Sequence, residues 1–214
     1  MNDSSYQAMA SSDATRQQWQ LDPAGQLSYW PAWLEHRAAT QYFEAFEREL
    51  AWQQRPIILF GRQVLQPRLT AFYGDAGIAY RYSGKTLLAE GWPAPLAAVR
   101  DALETDLGER FNSVLCNLYR DGRDGMGWHA DNEPELGNNP LIASVSLGSR
   151  RRFRLKPSSG DRRLVLDPAH GSLIVMAGDI QHHWLHEVPK TRRVVGPRIN
   201  LTFRRIRSNT TGRN

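Results

Sequence analysis

The spacing of apolar positions changes about halfway along the chain. In the first half they recur at helical spacing over residues 39–53 and 93–107, which predicts two helices. Proline stands near the start of the second helix, where the missing N–H is tolerated. The apolar positions of the first helix are Phe43, Phe46, Leu50 and Trp52. We therefore expect the main helices in the N-terminal half.

The second half contains six short runs rich in Val, Ile, Leu and Phe, separated by Gly, Pro, Asp and Asn. The runs occupy residues 110–120, 141–149, 151–157, 162–168, 171–179 and 197–206. Short strands after a helical first half predict a mainly β, α+β architecture: a sandwich or open barrel backed by helices. The chain has no GxGxxG or Walker A pattern, which argues against a nucleotide-binding α/β fold.

Composition indicates a reducing compartment. Cys116 is the single cysteine of the 214 residues, so no internal disulfide can form. No apolar run approaches the roughly 18 residues of a membrane helix. Residues 1–20 are polar and lack the pattern of a secretory signal, so we interpret them as a flexible tail. We expect a cytoplasmic protein, associated with the nucleoid if bacterial, and no membrane partner.

The charge of the chain is modestly positive, and most of its basic residues are arginine rather than lysine. The net charge is +5, and Lys accounts for only three of the 27 basic residues. Arginine binds phosphate and carboxylate through two parallel hydrogen bonds, which favours a polyanionic partner such as nucleic acid. A GC-rich genome would produce the same bias, and composition alone does not separate the two interpretations.

The segment GWHADNEPEL, residues 127–136, contains the first half of a candidate metal site. On an extended segment His129 and Asp131 point the same way, so both can approach one ion. Two histidines and one carboxylate on one face of an octahedron bind Fe(II) and leave three positions open. The second histidine could come from the downstream segment QHHWLHEVP, which offers His182, His183 and His186. We expect His170 to be structural and assign no function to His36.

Two further segments place polar side chains on one strand face. Residues 197–205 alternate strictly between apolar and polar positions, and the polar face carries Arg198, Asn200, Thr202 and Arg204. The two arginines are six residues apart, or roughly 20 Å along a strand, which allows a clamp for a short dicarboxylate. A solvated strand face is the alternative. Asn117 and Tyr119 share a face immediately before the HxD segment and could bind the same ligand.

Taken together, NLYRDGRDGMGWHADNEPEL, LIASVSLG, HGSLIVMAGDIQHHWLHEVP and PRINLTFRRI resemble the AlkB family of Fe(II)/2-oxoglutarate-dependent dioxygenases. The resemblance covers about residues 55–206 and is greatest to the branch containing the two human DNA and RNA repair homologues. It implies a double-stranded β-helix, or jelly roll, with N-terminal helices packed on one sheet. It also implies one domain over residues 21–206, with a nucleotide-recognition lid at about 55–92, a jelly-roll core at about 111–206 and a flexible tail at 207–214.

The resemblance also assigns the site residues. The iron ligands would be His129, Asp131 and His186, with His183 as the second choice for the last. The cofactors would be Fe(II), 2-oxoglutarate and O2. The 2-oxoglutarate pocket would be lined by Asn117, Tyr119, Arg198, Asn200 and Arg204, with Arg198 at the distal carboxylate and Arg204 near the iron.

The implied activity is oxidative demethylation of 1-methyladenine and 3-methylcytosine in DNA or RNA, with release of succinate and formaldehyde, by a monomer. Glu133 would recognise the cationic base, and Phe60 would be inserted into the duplex. Tyr80 and Tyr82 share one face of the recognition lid, and Tyr82 would stack on the base. Ordinary core or loop positions are the alternatives for these four residues. Candidate phosphate contacts are Arg62, Arg68, Arg123, Arg150, Arg151 and Arg152. Two other functions stay open: a same-fold oxygenase acting on protein or small molecules, and a catalytically silent nucleic-acid-binding module.

Overall fold

The computed structural model describes residues 16–22, 25–59, 61–82, 85–160 and 162–207, and it omits the side chains of residues 58, 59, 81, 82 and 85. The helices are α1 (His36–Glu49), α2 (Ala94–Leu107) and α3 (Ile180–His183), with a 3₁₀ turn at Pro134–Leu136. The strands are β1 (Gln17–Gln20), β2 (Gln26–Trp30), β3 (Pro56–Leu59), β4 (Arg62–Leu65), β5 (Leu69–Gly74), β6 (Ala79–Tyr82), β7 (Lys85–Leu88), β8 (Ser113–Tyr119), β9 (Met126–His129), β10 (Ile142–Gly148), β11 (Phe153–Pro157), β12 (Leu164–Leu166), β13 (Ser172–Ala177), β14 (Trp184–Val188) and β15 (Arg198–Arg204). All six predicted strand runs are strands, and the mainly β prediction is confirmed.

Two antiparallel sheets form the body of the protein. The larger sheet has seven strands in the order β1-β2-β13-β10-β15-β8-β5, and the smaller has four in the order β12-β11-β14-β9. Strands of both sheets line one cavity, so the two sheets face each other across it. Two separate hairpins, β3–β4 and β6–β7, precede α2. This is the jelly-roll arrangement that the sequence predicts.

Helices α1 and α2 cover the face of the larger sheet that points away from the cavity. α1 buries Tyr42 and Phe46 and packs on β10 and β15. It begins at His36 and ends at Glu49, because the next residue, Leu50, has extended backbone angles. The predicted helix over 39–53 is therefore wrong at its C-terminal end. Trp52 lies beyond the helix, and its indole N–H donates to the carbonyl of Phe46 at 3.0 Å.

Strand β15 separates the apolar core beneath the helices from the cavity between the sheets. Its apolar residues Ile199, Leu201 and Phe203 belong to the core beneath the helices. Its polar residues line the cavity between the sheets, and all four are buried: Arg198, Asn200, Thr202 and Arg204. The alternation thus separates an apolar core from a buried polar cavity, and the interpretation of a solvated strand face is wrong.

The N-terminal segment departs from its prediction. Gln17–Gln20 form β1, which pairs with β2 at the edge of the larger sheet, so the predicted flexible tail over 1–20 is too long. Residues 1–15 and 208–214 lie outside the described residues. Helix α3 and strands β2 and β14 were not predicted from the apolar pattern. No helix within the described part of the chain is long and apolar enough to cross a membrane.

Candidate metal centre

The centre of the site is a cross-strand pair of histidines. His129 ends β9 and lies opposite His186 of β14 in the register of the smaller sheet. Residues opposite each other in a ladder project to the same face, so both imidazoles enter the cavity. Their ring centroids are 4.2 Å apart. His129 Nδ1 lies 2.8 Å from the carbonyl oxygen of Gly127, a contact that places the proton on Nδ1. The lone pair of Nε2 is then available to a metal ion.

Asp131 completes the cluster from the loop that follows β9. Its Oδ1 lies 3.9 Å from His129 Nε2, and its Oδ2 accepts a hydrogen bond from Arg204 Nη2 at 2.7 Å. The donor atoms of His129, Asp131 and His186 all lie within 4.8 Å of one another. Two imidazole nitrogens and one carboxylate oxygen, converging from one side, are the donor set that suits Fe(II) with open positions. The residues present therefore fit the metal.

The protonation states also suit a cation. Burial, together with the nearby His129, lowers the pKa of His186 to about 3, so the imidazole is neutral at physiological pH. Burial likewise lowers the pKa of His129. Burial opposes ionisation of Asp131, but the charge and hydrogen bond of Arg204, together with the neighbouring His186 and His129, outweigh it and hold the pKa of Asp131 below its ordinary value. The cluster thus offers two neutral nitrogens and one anionic oxygen, which are the ligating forms of these groups.

Arg198 lies at the other end of β15 in the same cavity. Its side chain is 2% exposed, and its Nη2 donates to Ser146 Oγ at 2.9 Å. Among the described residues, its Nε and Nη1 have no hydrogen-bond partner. The guanidinium lies over the ring of Tyr119, 5.4 Å from the centroid. Burial lowers the pKa of Arg198 to about 10, so it remains charged at neutral pH and can bind a carboxylate.

The two amides predicted to line the cavity, Asn117 and Asn200, do so, and each is hydrogen-bonded to other groups of the protein. Asn117 Oδ1 accepts from Arg68 Nε at 2.9 Å. Asn200 Nδ2 donates to Ser144 Oγ at 2.7 Å and to the carbonyl of Val145 at 3.1 Å. The bond from Arg68 uses the acceptor end of the Asn117 amide, and Nδ2 is its donor end.

The residues predicted to contact the base fall into three situations. Glu133 is partly buried, and burial together with the charge of Asp131 raises its pKa. Tyr80 is 0% exposed and stacks on Phe72, so it does not offer a free face to a base, and the core alternative is correct for it. The side chain of Tyr82 and the whole of Phe60 lie outside the described residues.

The candidate phosphate contacts divide by exposure. Four are on the surface: Arg62, Arg123, Arg150 and Arg152. Arg68 and Arg151 are each 3% exposed, so a surface phosphate contact is wrong for both. Arg68 holds Asn117, and Arg151 donates to the carbonyls of Asp121, Asp124 and Pro189. Both guanidiniums therefore satisfy internal acceptors.

The structure distinguishes the downstream histidines and adds residues that the sequence did not indicate. His182 and His183 are exposed, whereas His186 is buried in the cluster. His170 accepts from the backbone N–H of Gly148 at 2.8 Å, a structural contact. Gln181 accepts from the backbone N–H of Asp131 at 2.9 Å, and Ser146 contacts Arg198. Nothing in the local sequence around either residue indicated these contacts, because both depend on strand register.

Known proteins resemble this chain in sequence. Residues 26–204 match the 2OG-Fe(II) oxygenase superfamily. The chain is 38% identical over 198 residues to the human alpha-ketoglutarate-dependent dioxygenase alkB homolog 3, covering 87% of this chain and 68% of that protein. It is 41% identical over 179 residues to the human DNA oxidative demethylase ALKBH2, covering 78% of this chain and 69% of that protein. It spans only 64% of the bovine alkB homolog 3, to which it is 40% identical over 82% of its own length.

Solved structures show the same fold at low sequence identity. The structure of OsALKBH1 superposes with a TM-score of 0.63 at 15% identity, covering 88% of this chain and 100% of that one. A 2OG-Fe(II) oxygenase family oxidoreductase from Burkholderia pseudomallei superposes with a TM-score of 0.55 at 18% identity, covering 83% of this chain and 84% of that one.

Proposed function

This chain belongs to the AlkB family of the 2OG-Fe(II) oxygenase superfamily, and on that premise we propose that it oxidatively demethylates N-alkylated bases in DNA. The products would be the repaired base, formaldehyde, succinate and carbon dioxide. One observation carries the proposal: three converging donor atoms and a buried cation with unused hydrogen-bond donors share one cavity. Fe(II) bound there supplies the activation of O2 that is coupled to decarboxylation of the keto acid.

Arg198 is proposed to bind the distal carboxylate of 2-oxoglutarate. Its Nε and Nη1 are buried donors with no partner among the described residues, and a carboxylate in the cavity would accept from one of these unpaired edges. Tyr119 positions the guanidinium by packing beneath it. Asn117 is proposed to donate its free amide N–H to the metal-proximal part of the keto acid, while Asn200 supports the cavity wall through Ser144. Arg204 holds Asp131 beside that end of the pocket.

The proposed substrates, 1-methyladenine and 3-methylcytosine, are cations at neutral pH. Glu133 lies close enough to Asp131 for each charge to raise the cost of ionising the other, and it is partly buried. A carboxylate in that position favours a cationic base over a neutral one, because it is desolvated and has a negative neighbour. The DNA named for ALKBH2 is the first substrate to test, and RNA is the second.

We extend the same proposal to the parts of the chain that approach the nucleic acid. Residues 55–92 would form the lid of a single domain over 21–206, with 111–206 as its core. Tyr82 would stack on the flipped base, and Phe60 would fill the gap that the base leaves. Arg62, Arg150 and Arg152 are exposed cations suited to phosphate, and Arg123 is already paired with Asp121. We propose that the protein acts as a monomer inside the cell.

The experiment is a repair assay with Fe(II), 2-oxoglutarate and an oligonucleotide carrying one 1-methyladenine or 3-methylcytosine. Succinate, formaldehyde and the restored base are measured together on single-stranded and duplex forms, with the unmethylated oligonucleotide and Asp131→Ala as controls. Restoration of the base with matching formaldehyde supports the proposal. Succinate release indifferent to methylated DNA would indicate an oxygenase of another substrate class. Absence of succinate throughout would indicate a silent binding module.

A further inference from the structure

We propose that Gln181 is a positioning residue for the metal centre, which acts by holding the backbone of Asp131. The side chain of Gln181 is 1% exposed. Its Oε1 accepts from the backbone N–H of Asp131 at 2.9 Å, and its Nε2 contacts Met176 Sδ at 3.5 Å. The inference rests on the proposed use of Asp131 as a metal ligand.

Asp131 needs this contact because it lies outside the sheet. The ladder between β9 and β14 includes His129, but β9 ends there and Asp131 is two residues further along. A buried N–H that has lost its strand partner must find another acceptor. The amide oxygen of Gln181 replaces the missing ladder partner, so the main chain at Asp131 is held although no strand continues there.

Gln181 also connects the ligand to the rest of the centre. It lies in α3, a single turn that leads directly into β14 and thus to His186, five residues later. Met176, its other contact, lies in β13 of the larger sheet and lines the cavity. One side chain therefore joins the Asp131 loop to elements of both sheets.

The contact complements that of Arg204. Arg204 holds Oδ2 of Asp131, and Gln181 holds the main chain from which the carboxylate projects. Of these two contacts, only the ion pair with Arg204 would remain without Gln181, and the ion pair draws the Asp131 carboxylate towards Arg204. Because glutamine is neutral, it fixes the backbone without adding to the negative charge of Asp131 and Glu133. Gln181 therefore affects the geometry of the three metal-ligating side chains and not their chemical identity.

The test is the variant Gln181→Met, which keeps an unbranched side chain of similar length but removes the amide acceptor. The metal-free protein is titrated with Co(II), without DNA or keto acid, and the dissociation constant and visible spectrum are recorded. Loss of a residue that orients a ligand typically weakens metal binding by about 10- to 100-fold. We expect at least a tenfold loss of Co(II) affinity together with a changed visible spectrum.

Tyr29→Phe is the matched control. The hydroxyl of Tyr29, which lies on β2, also accepts from a backbone N–H, that of the partly buried Ala169 at 3.1 Å, and β2 holds no metal ligand. We expect this variant to bind Co(II) within twofold of the wild type. Circular dichroism and thermal unfolding are measured on all three proteins.

The outcomes separate this inference from the proposed function. If the wild type binds no Co(II), the metal site itself fails. If the wild type binds Co(II) and a folded Gln181→Met protein binds it equally well with the same spectrum, only the role of Gln181 is overturned. Equal losses in Gln181→Met and Tyr29→Phe would also overturn it, because the effect would then be general destabilisation.

Discussion

Strand β15 places one arginine at each end of the same cavity, and the two guanidinium groups differ in their partners. Arg204 is paired with Asp131 at 2.7 Å, and Asp131, together with Tyr80 and Glu133, outweighs burial and raises the pKa of Arg204. Arg198, equally buried, keeps two donors without a partner among the described residues, and burial lowers its pKa. One cation belongs to the architecture of the metal centre. Arg198 is available to bind an anion that is not part of the chain.

This difference follows from the cost of burying charge. Removing one partner of a buried ion pair destabilises the fold, because the other charge is left buried and uncompensated. A buried charge that has no partner lowers the free energy of unfolding until a ligand neutralises it. The Arg204 end should therefore govern stability and metal binding, and the Arg198 end should govern ligand binding. The following variants and conditions test that separation.

The largest effect should come from Asp131→Ala. This change removes a metal ligand and leaves Arg204 buried without its partner. We expect turnover to fall by more than about 100-fold and Co(II) affinity to be lost, since losing even a supporting residue costs 10- to 100-fold. Succinate release and Co(II) titration measure the two effects. Retention of near-normal turnover would refute the assignment of Asp131 as a ligand.

The two arginines can be compared directly through Arg204→Met and Arg198→Met. Removing one partner of a buried ion pair typically costs about 3–5 kcal/mol, and we expect that loss in the free energy of unfolding for Arg204→Met. Arg198→Met should be close to neutral, because it removes an unpaired buried charge. Urea unfolding of the metal-free proteins gives both values. Equal losses in the two variants would erase the distinction between the two ends.

Ligand-dependent stability should depend on Arg198. A ligand present at 100 times its dissociation constant adds about 2.7 kcal/mol to the free energy of unfolding. We expect 2-oxoglutarate, added with Co(II) in place of iron, to raise the melting temperature of the wild type but not of Arg198→Met. Differential scanning fluorimetry measures the shift, with Co(II) alone as the reference. A full shift in the variant would exclude Arg198 from the keto-acid site.

The metal end should also make the metal-free protein sensitive to acid. An unfolded histidine binds a proton below its ordinary pKa of about 6.5, whereas the pKa of folded His186 is lowered to about 3. The stability that neutral His186 contributes is therefore present above about pH 6.5 and is lost as the pH falls towards 3. At pH 5 we expect a loss of about 2 kcal/mol in the free energy of unfolding. Urea unfolding between pH 7 and pH 5 measures it, and a flat profile would contradict the neutral buried state.

The smallest expected effect concerns Glu133. Glu133→Gln keeps the shape of the side chain and removes its charge, so the metal and keto-acid ends should be unaffected. We expect the preference for cationic methylated bases over neutral ones to fall by about tenfold, equivalent to about 1.4 kcal/mol. Competition between differently methylated oligonucleotides measures the preference. An unchanged substrate profile would separate Glu133 from base recognition.

Patterns that depend on neighbours in the chain were readable from the sequence. The alternation in 197–205 predicted β15 and the segregation of its two faces, because side chains on a strand alternate whatever the strand packs against. The family motifs likewise predicted the jelly roll and the HxD…H pattern. The same local information could not show that the polar face of β15 is buried, or that His129 and His186 are opposite each other, because both depend on which strands become neighbours.

Assignments that depend on exposure and partners were decided only by the tertiary structure. Arg68 and Arg151 have the same chemistry as the exposed arginines, yet they are buried and bonded to internal acceptors. Tyr80 proved to be a core residue, and Gln181 proved to contact the ligand loop. The sequence by itself determined the residue types, the strand periodicity and the family. Only the packing of two sheets decided which polar groups pair inside the protein and which, like Arg198, are left for a ligand, because pairing depends on distances between residues far apart in the chain.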